Sequence, residues 1–160
     1  MSDPELITYE SPTHIPGETI FRLFALVGWI KPRREKPDVH VKIDAISNHT
    51  LYLDGTADDF EFLGVTFKNS TKIYSAQHRD EIVGFVRVLS DGLQRSILYD
   101  LVVHPEFQHH GIGTKLLERC LKDFAHTQIT LGTSSTTMKF YENFGFTKSQ
   151  NYMEVTTKAY

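Results

Sequence analysis

The sequence is poor in several things that would each point to a class of protein. It has a single cysteine, Cys120, in 160 residues, which excludes an internal disulfide framework and a cysteine cluster for zinc and suits a reducing compartment. No apolar run is long enough to cross a bilayer, and the longest, such as residues 82–89, are strand-sized. The opening residues are acidic and polar where a secretory signal would set a basic patch before an apolar segment. A cytoplasmic location is expected. Positive charge is also scarce: 17 lysines and arginines stand against 20 aspartates and glutamates, for a net charge of -3. That disfavours a nucleic-acid binder relying on bulk charge. What is present, 40% apolar and 23% charged residues without repeats or low-complexity tracts, is ordinary for one soluble globular domain spanning residues 1–160.

Periodicity then orders the chain. Residues 7–10 suit a first strand, and residues 17–27 a helix with Ile20, Leu23, Phe24 and Val27 on one face and Gly28 as its stop. The charged, proline-bounded stretch 31–37 reads as an exposed loop. The alternation of Val39, Val41 and Ile43, and then Leu51, Tyr52 and Leu53, suggests strand with a turn near residues 47–49. A short helix over 57–67 precedes paired strands at 72–77 and 81–89, and residues 97–103 form a β-branched strand ended by Pro105. Residues 111–125 give the strongest helix, with Ile112, Leu116, Leu117, Cys120, Leu121 and Phe124 at helical spacing, so Cys120 reads as a core residue. A strand at 128–131, a helix at 136–144 and a strand at 152–157 finish an α+β chain with a mixed sheet.

The chemistry concentrates where the strand ending Leu101, Val102, Val103, His104, Pro105 runs through Gln108, His109, His110, Gly111, Ile112, Gly113 and Thr114 into that helix. Glycines allow a ligand close to the backbone, and the unpaired N–H groups of a first helical turn bind phosphate oxygens. The third glycine of a dinucleotide fingerprint and the Gly-Lys-Ser/Thr of a nucleotide-triphosphate loop are both missing.

Q-x-x-G-x-G after a strand ending V-x-P resembles the pyrophosphate motif of the GNAT acetyltransferases. Phe140, Tyr141, Glu142, Asn143, Phe144, Gly145 and Phe146 resemble the family's late F-Y-x-x-x-G-F helix, and residues 82–89, with Gly84, its third strand. The resemblance covers residues 71–146. It implies a GNAT fold: a mixed, mostly antiparallel twisted sheet of about six or seven strands, about four flanking helices and a splayed central strand. It also implies acetyl-coenzyme A as co-substrate, without a metal. The backbone of Leu101, Val102 and Val103 would bond the pantetheine arm, and residues 108–114 would take the pyrophosphate. Tyr141 would be the general acid for the departing thiolate, the alternative being a ring that only packs on the preceding strand. Ser134 stands where the family often has asparagine, so a contact to the cofactor arm there is altered or absent.

Asp100 is a candidate proton acceptor for the incoming ammonium, or else a structural carboxylate. His109 and His110 either add positive charge or contribute backbone only, and no third residue at a diagnostic spacing makes them metal ligands. Val27, Gly28 and Trp29, with Arg87, Val88, Asp91 and Gly92, resemble a small bacterial branch of the family, in which Trp29 would wall the acceptor pocket; a core tryptophan is the other reading. The implied reaction is acetyl transfer to a primary amine of a small molecule, amino acid or peptide by direct attack in a ternary complex. A non-catalytic acyl-coenzyme A binding or sensor module and a protein lysine or N-terminal acetyltransferase are the competing readings. Nucleic acid and membrane are not expected as partners, and the resemblance leaves room for a homodimer.

Overall fold

The computed structural model describes residues 6–35 and 50–149. The strand expected at 152–157 and the alternation and turn expected within 39–49 lie outside them. Five strands form one sheet in the order β1 (Ile7–Glu10), β4 (Lys72–His78), β5 (Glu81–Ser90), β6 (Arg95–Val103) and β7 (Gln128–Leu131). All neighbours are antiparallel except β6 and β7. β2 (Ile30–Lys31) and β3 (Leu51–Tyr52) pair in parallel as a separate sheet, so the seven strands among the described residues divide into two sheets.

Alternation along β4, β5 and β6 gives the main sheet two apolar faces, as expected of central strands covered on both sides. Tyr74, Val86, Val88 and Leu98 pack with Ile112, Leu116, Leu117 and Cys120 of α3 (Ile112–Asp123). Ile73, Phe85 and Val102 pack with Ile20, Leu23 and Phe24 of α1 (Gly17–Leu26) and with Leu63 and Phe67 of α2 (Ala57–Lys68). Helices therefore sandwich the sheet. Cys120 is buried in the first of these cores, and burial, then the nearby Asp123 charge, pushes its thiol up to about 12.

The helix pair is in backbone contact. A Cβ on Gly17 would collide with the Phe60 carbonyl, and one on Gly64 would stand 3.6 Å from the Gly17 nitrogen. α2 begins with a capping box, in which the Thr56 side chain accepts from the Asp59 N–H at 3.3 Å while the Asp59 carboxylate accepts from the Thr56 N–H at 3.1 Å. Burial works to raise the Asp59 carboxyl, but the Thr56 and Asp54 N–H groups, the Thr56 hydroxyl and the Arg33 charge together hold it below its ordinary value. Its other oxygen is bonded by Arg33, which fixes the loop after β2 against the helix.

Two features of the sheet position the site. β6 carries a register shift opposite β5, where Phe85 faces Val102 but Arg87 faces Tyr99, so Asp100 and Leu101 together oppose Val86. Asp100 sits at φ 53°. β7 pairs with β6 only from Arg95↔Gln128 to Leu98↔Leu131. Beyond Leu98 the two strands part, and among the described residues no strand pairs with the edge of β6 that faced β7. Among the described residues no helix is long and apolar enough to cross a membrane.

Candidate active site

The parting of β6 and β7 opens a cleft of about 330 Å³ at the C-terminal ends of two parallel strands, where crevices of parallel sheets commonly take ligands. Leu98, Asp100 and Leu101 line it from β6, and Gly132, Thr133, Ser134, Thr136 and Thr137 from the connection after β7. Tyr141 lines it from α4 (Met138–Glu142), while Gly28, Trp29 and Thr50 complete the wall. The small sheet brings these last residues together, since the Leu51 N–H donates to the Trp29 carbonyl at 2.7 Å. Trp29 packs on Phe24 with ring centroids 5.1 Å apart, so it belongs both to the edge of the core and to the cleft wall.

Tyr141 is set by aromatic packing. Its ring meets Phe140 at 5.0 Å and Phe146 at 5.9 Å, both edge-on, which accounts for the F-Y-x-x-x-G-F spacing: Gly145 at φ 85° turns the chain so that Phe146 folds back. The Phe146 N–H donates to the Tyr141 carbonyl at 3.3 Å. Among the described residues the Tyr141 hydroxyl has no hydrogen-bond partner. Burial, with a smaller contribution from Cys120, pushes its phenol up to about 12. The group is a proton donor throughout the neutral range.

Asp100 reaches the cleft from the bulge of β6 and is paired with Arg87 Nε; both side chains are 13% exposed. Ser134 lies in a net of hydroxyls: its Oγ is 2.7 Å from Thr136 Oγ1 and 3.0 Å from Thr137 Oγ1, and Thr133 Oγ1 is 2.6 Å from Thr137 Oγ1. The Ser134 carbonyl accepts from the Met138 N–H at 3.1 Å, which starts α4 later than the residue 136 expected from periodicity.

The turn ahead of α3 lies outside the lining of this cleft, just beyond the C-terminal end of the same strand. Pro105–Phe107 form one 3₁₀ turn, after which His109 at φ 63° and Gly111 at φ 78° reverse the chain into the helix. The Lys115 N–H closes the first helical turn on the Gly111 carbonyl at 3.0 Å. The N–H groups of Ile112, Gly113 and Thr114 precede that closure and point out of the helix end. The Ile112 and Val102 side chains are buried in the two cores, so only their backbone can serve a ligand. Val103 packs on the α3 side. His109 and His110 are exposed. Gln108 turns inward, its side-chain amide donating to the Val103 carbonyl at 2.9 Å.

Sequence reasoning thus named Trp29, Asp100, Leu101, Ser134 and Tyr141, which one cleft brings together, and residues 108–114, which form a separate anion-ready turn. It missed Thr50, Thr133, Thr136 and Thr137, and named Arg87 only for a branch resemblance and not for the site. The hydroxyl run of residues 133–137, directly after a parallel strand, was the available signal for three of them. Among the described residues no group of three His, Cys, Asp or Glu side chains is placed to hold a metal.

The family model described as an acetyltransferase (GNAT) domain matches residues 69–148. The uncharacterized N-acetyltransferase ycf52 of Gracilaria tenuistipitata var. liui is 29% identical over 84 residues, covering 51% of this chain and 46% of its own. The chain spans about half the length of the curated relatives of this kind that it matches. A GNAT family acetyltransferase from Streptococcus pneumoniae superposes with a TM-score of 0.68 at 23% identity, over 95% of this chain and 99% of that one. A predicted acetyltransferase of Clostridium acetobutylicum, crystallised with acetyl-CoA, gives 0.60 at 15% identity over 94% and 96%. At such identities the structural likeness speaks for the fold.

Proposed function

The chain belongs to the GNAT acetyltransferase family, and on that premise we propose that it transfers the acetyl group of acetyl-CoA to a primary amine of a small molecule, amino acid or peptide. The observation that carries this reading is the placing, along one strand, of two different features. In the cleft beside residues 98–101 stand the carboxylate of Asp100 and the hydroxyl of Tyr141, which has no hydrogen-bond partner among the described residues. Just past the end of that strand at Val103 stand the left-handed Gly111 and the outward N–H groups of α3. A phosphate-bearing arm laid along the open edge of β6 joins the two by strand addition.

The residues fit that cofactor. The N–H groups of Ile112, Gly113 and Thr114 suit a pyrophosphate, and neither Gly111 nor Gly113 puts a side chain in its way. The main-chain groups of residues 99–102 that are not taken up in pairing with β5 suit an amide-bearing arm. Acetyl-CoA supplies an acetyl group activated as a thioester. Tyr141 gives its phenolic proton to the sulfur as it leaves, and Asp100 takes a proton from the acceptor ammonium so that the free amine can attack. Trp29 and the hydroxyls of Thr133, Thr136 and Thr137 receive the acceptor. Support for N-acetylation comes from the names of the relatives, and support for the cofactor from the neighbour solved with it.

The test combines binding with turnover. Acetyl-CoA at millimolar concentration is expected to raise the melting temperature, because a ligand of the folded state stabilises it by mass action. Free-thiol release is then followed across amines, polyamines, amino acids and peptides. Binding without release on any acceptor would leave a sensor module, and no melting shift at all would remove the cofactor from the reading.

A further inference from the structure

Asp100 is held in the left-handed region, which aspartate enters more readily than most residues but still uncommonly. Its φ of 53° occurs where two residues of β6 oppose one of β5. Something must over-determine it. The ion-pair partner is Arg87, the residue of β5 just beyond the shift, whose Nε donates to Asp100 Oδ2. The pair is largely withdrawn from water, with both side chains 13% exposed.

Arg87 is itself fixed by two rings. Its guanidinium carbon lies 5.3 Å from the centroid of Phe67, on α2, and 4.9 Å from that of Tyr99, the residue before Asp100. A planar cation held against aromatic faces has a restricted choice of in-plane donor directions, which an ammonium on a flexible stem lacks. Withdrawn ion pairs add little net stability compared with apolar residues of the same volume. One placed where the strand bulges into a cleft has its main effect on geometry.

We propose that Arg87 is a positioning residue for acetyl transfer: held against Phe67 and Tyr99, it locks Asp100 in the bulge of β6 and so fixes where the acceptor amine meets the cleft. This rests on the reading of the chain as an amine acetyltransferase. Arg87 touches neither substrate nor cofactor in this scheme and acts only through Asp100. The packing of Phe67 on Phe85, at 5.0 Å and edge-on, ties the arrangement to the core beneath α1 and α2.

The experiment compares Arg87→Met, Arg87→Lys, Asp100→Asn and the double variant Arg87→Met/Asp100→Asn with the parent chain on its best amine. Arg87→Met is expected to lower kcat/KM for the amine by roughly tenfold to a hundredfold, while the dissociation constant for acetyl-CoA stays within about threefold. The double variant should be no worse than Asp100→Asn alone by more than about threefold, since the two residues act as one unit. Arg87→Lys keeps the charge but not the plane, and should recover only part of the loss. Independently of turnover, hydrogen exchange at the Tyr99, Asp100 and Leu101 amides should speed up by at least about tenfold in Arg87→Met.

Parent-like kcat and KM in Arg87→Met would overturn the proposal and leave the acetyltransferase reading standing. So would fully additive losses, or cofactor affinity falling in step with melting temperature, either of which marks a structural residue. If Arg87→Met does not fold, Arg87→Lys with parent-like kinetics and exchange overturns it equally. A parent chain that binds acetyl-CoA but acetylates no amine removes the activity reading, and the proposal with it.

Discussion

The side-chain amide of Gln108 donates to the main-chain carbonyl of Val103 at 2.9 Å, so the end of β6 and the turn ahead of α3 are held as one piece. On the proposed reading Gln108 would serve the pyrophosphate at one remove, by fixing the backbone that would bind it. Gln108→Ala should weaken acetyl-CoA binding by about fivefold, the equivalent of one hydrogen bond of about 1 kcal/mol. Calorimetric titration checks this, and unchanged affinity would show that the turn keeps its shape unaided.

Gly113 separates ligand effects from folding effects. A Cβ there would stand 3.8 Å from both Phe140 Cζ and Val103 Cγ2, an ordinary contact, and alanine favours a helix by up to about 1 kcal/mol over glycine. Gly113→Ala should hold or raise the melting temperature of the free protein while weakening acetyl-CoA binding. Gly113→Glu should weaken it further by adding negative charge. Equal affinity in all three chains would put the pyrophosphate elsewhere.

Tyr141→Phe keeps the ring contacts with Phe140 and Phe146 and removes the proton donor. Turnover on a good acceptor should fall by roughly tenfold to a thousandfold, with the cofactor dissociation constant within a few fold. Because burial holds the phenol at about 12, its ionisation should produce no alkaline loss of activity in the parent below about pH 10. Full turnover in the phenylalanine variant, with chemistry shown to limit the rate, would reduce Tyr141 to packing.

Away from the site, Asp123 accepts from Lys72 Nζ at 2.7 Å and from the Tyr74 hydroxyl at 2.8 Å. The Lys72 bond first, and then that of Tyr74, hold its carboxyl below its ordinary value. A depressed carboxyl contributes stability above its unfolded pKa of about 3.9 and loses it as pH falls through the lower folded value. Asp123→Asn should therefore cost stability at pH 7, with the difference from the parent shrinking below about pH 4. The side chain is 38% exposed, so screening limits the effect to about 1 kcal/mol or less. A penalty undiminished at pH 3 in denaturant titrations would assign it to shape and not to charge.

The elements with a strong local pattern were legible in the sequence. The run of Leu116, Leu117 and Cys120 marks α3 because its apolar face repeats at helical spacing, and β7 is bounded as alternation suggests. The anion turn was legible because glycines and a helix start are local signals. The cleft was legible only through single side chains. Nothing near Trp29 announces that Thr50 will stand beside it, because β2 and β3 are two residues each and pair across a long insertion. The Arg87–Asp100 pair depends on a register shift, and a one-residue bulge leaves no trace in periodicity. Gln108 was recognised by type alone: a motif names a residue without saying which way its side chain turns, here toward the Val103 carbonyl.

The backbone contact of Gly17 with Phe60 has a consequence for how acceptor choice can change. Where two helices touch backbone to backbone, no smaller residue exists to exchange for the glycine, and inserting a larger one breaks the joint. That joint, which supports the cleft without lining it, is thus closed to gradual variation. Novelty must enter through the connections that line the cleft, at Thr50, Thr133, Ser134, Thr136 and Thr137, and not at Gly28, held at φ 78°, or at Trp29, which packs on Phe24. A library confined to those positions would sample new amines without first having to rescue a damaged fold.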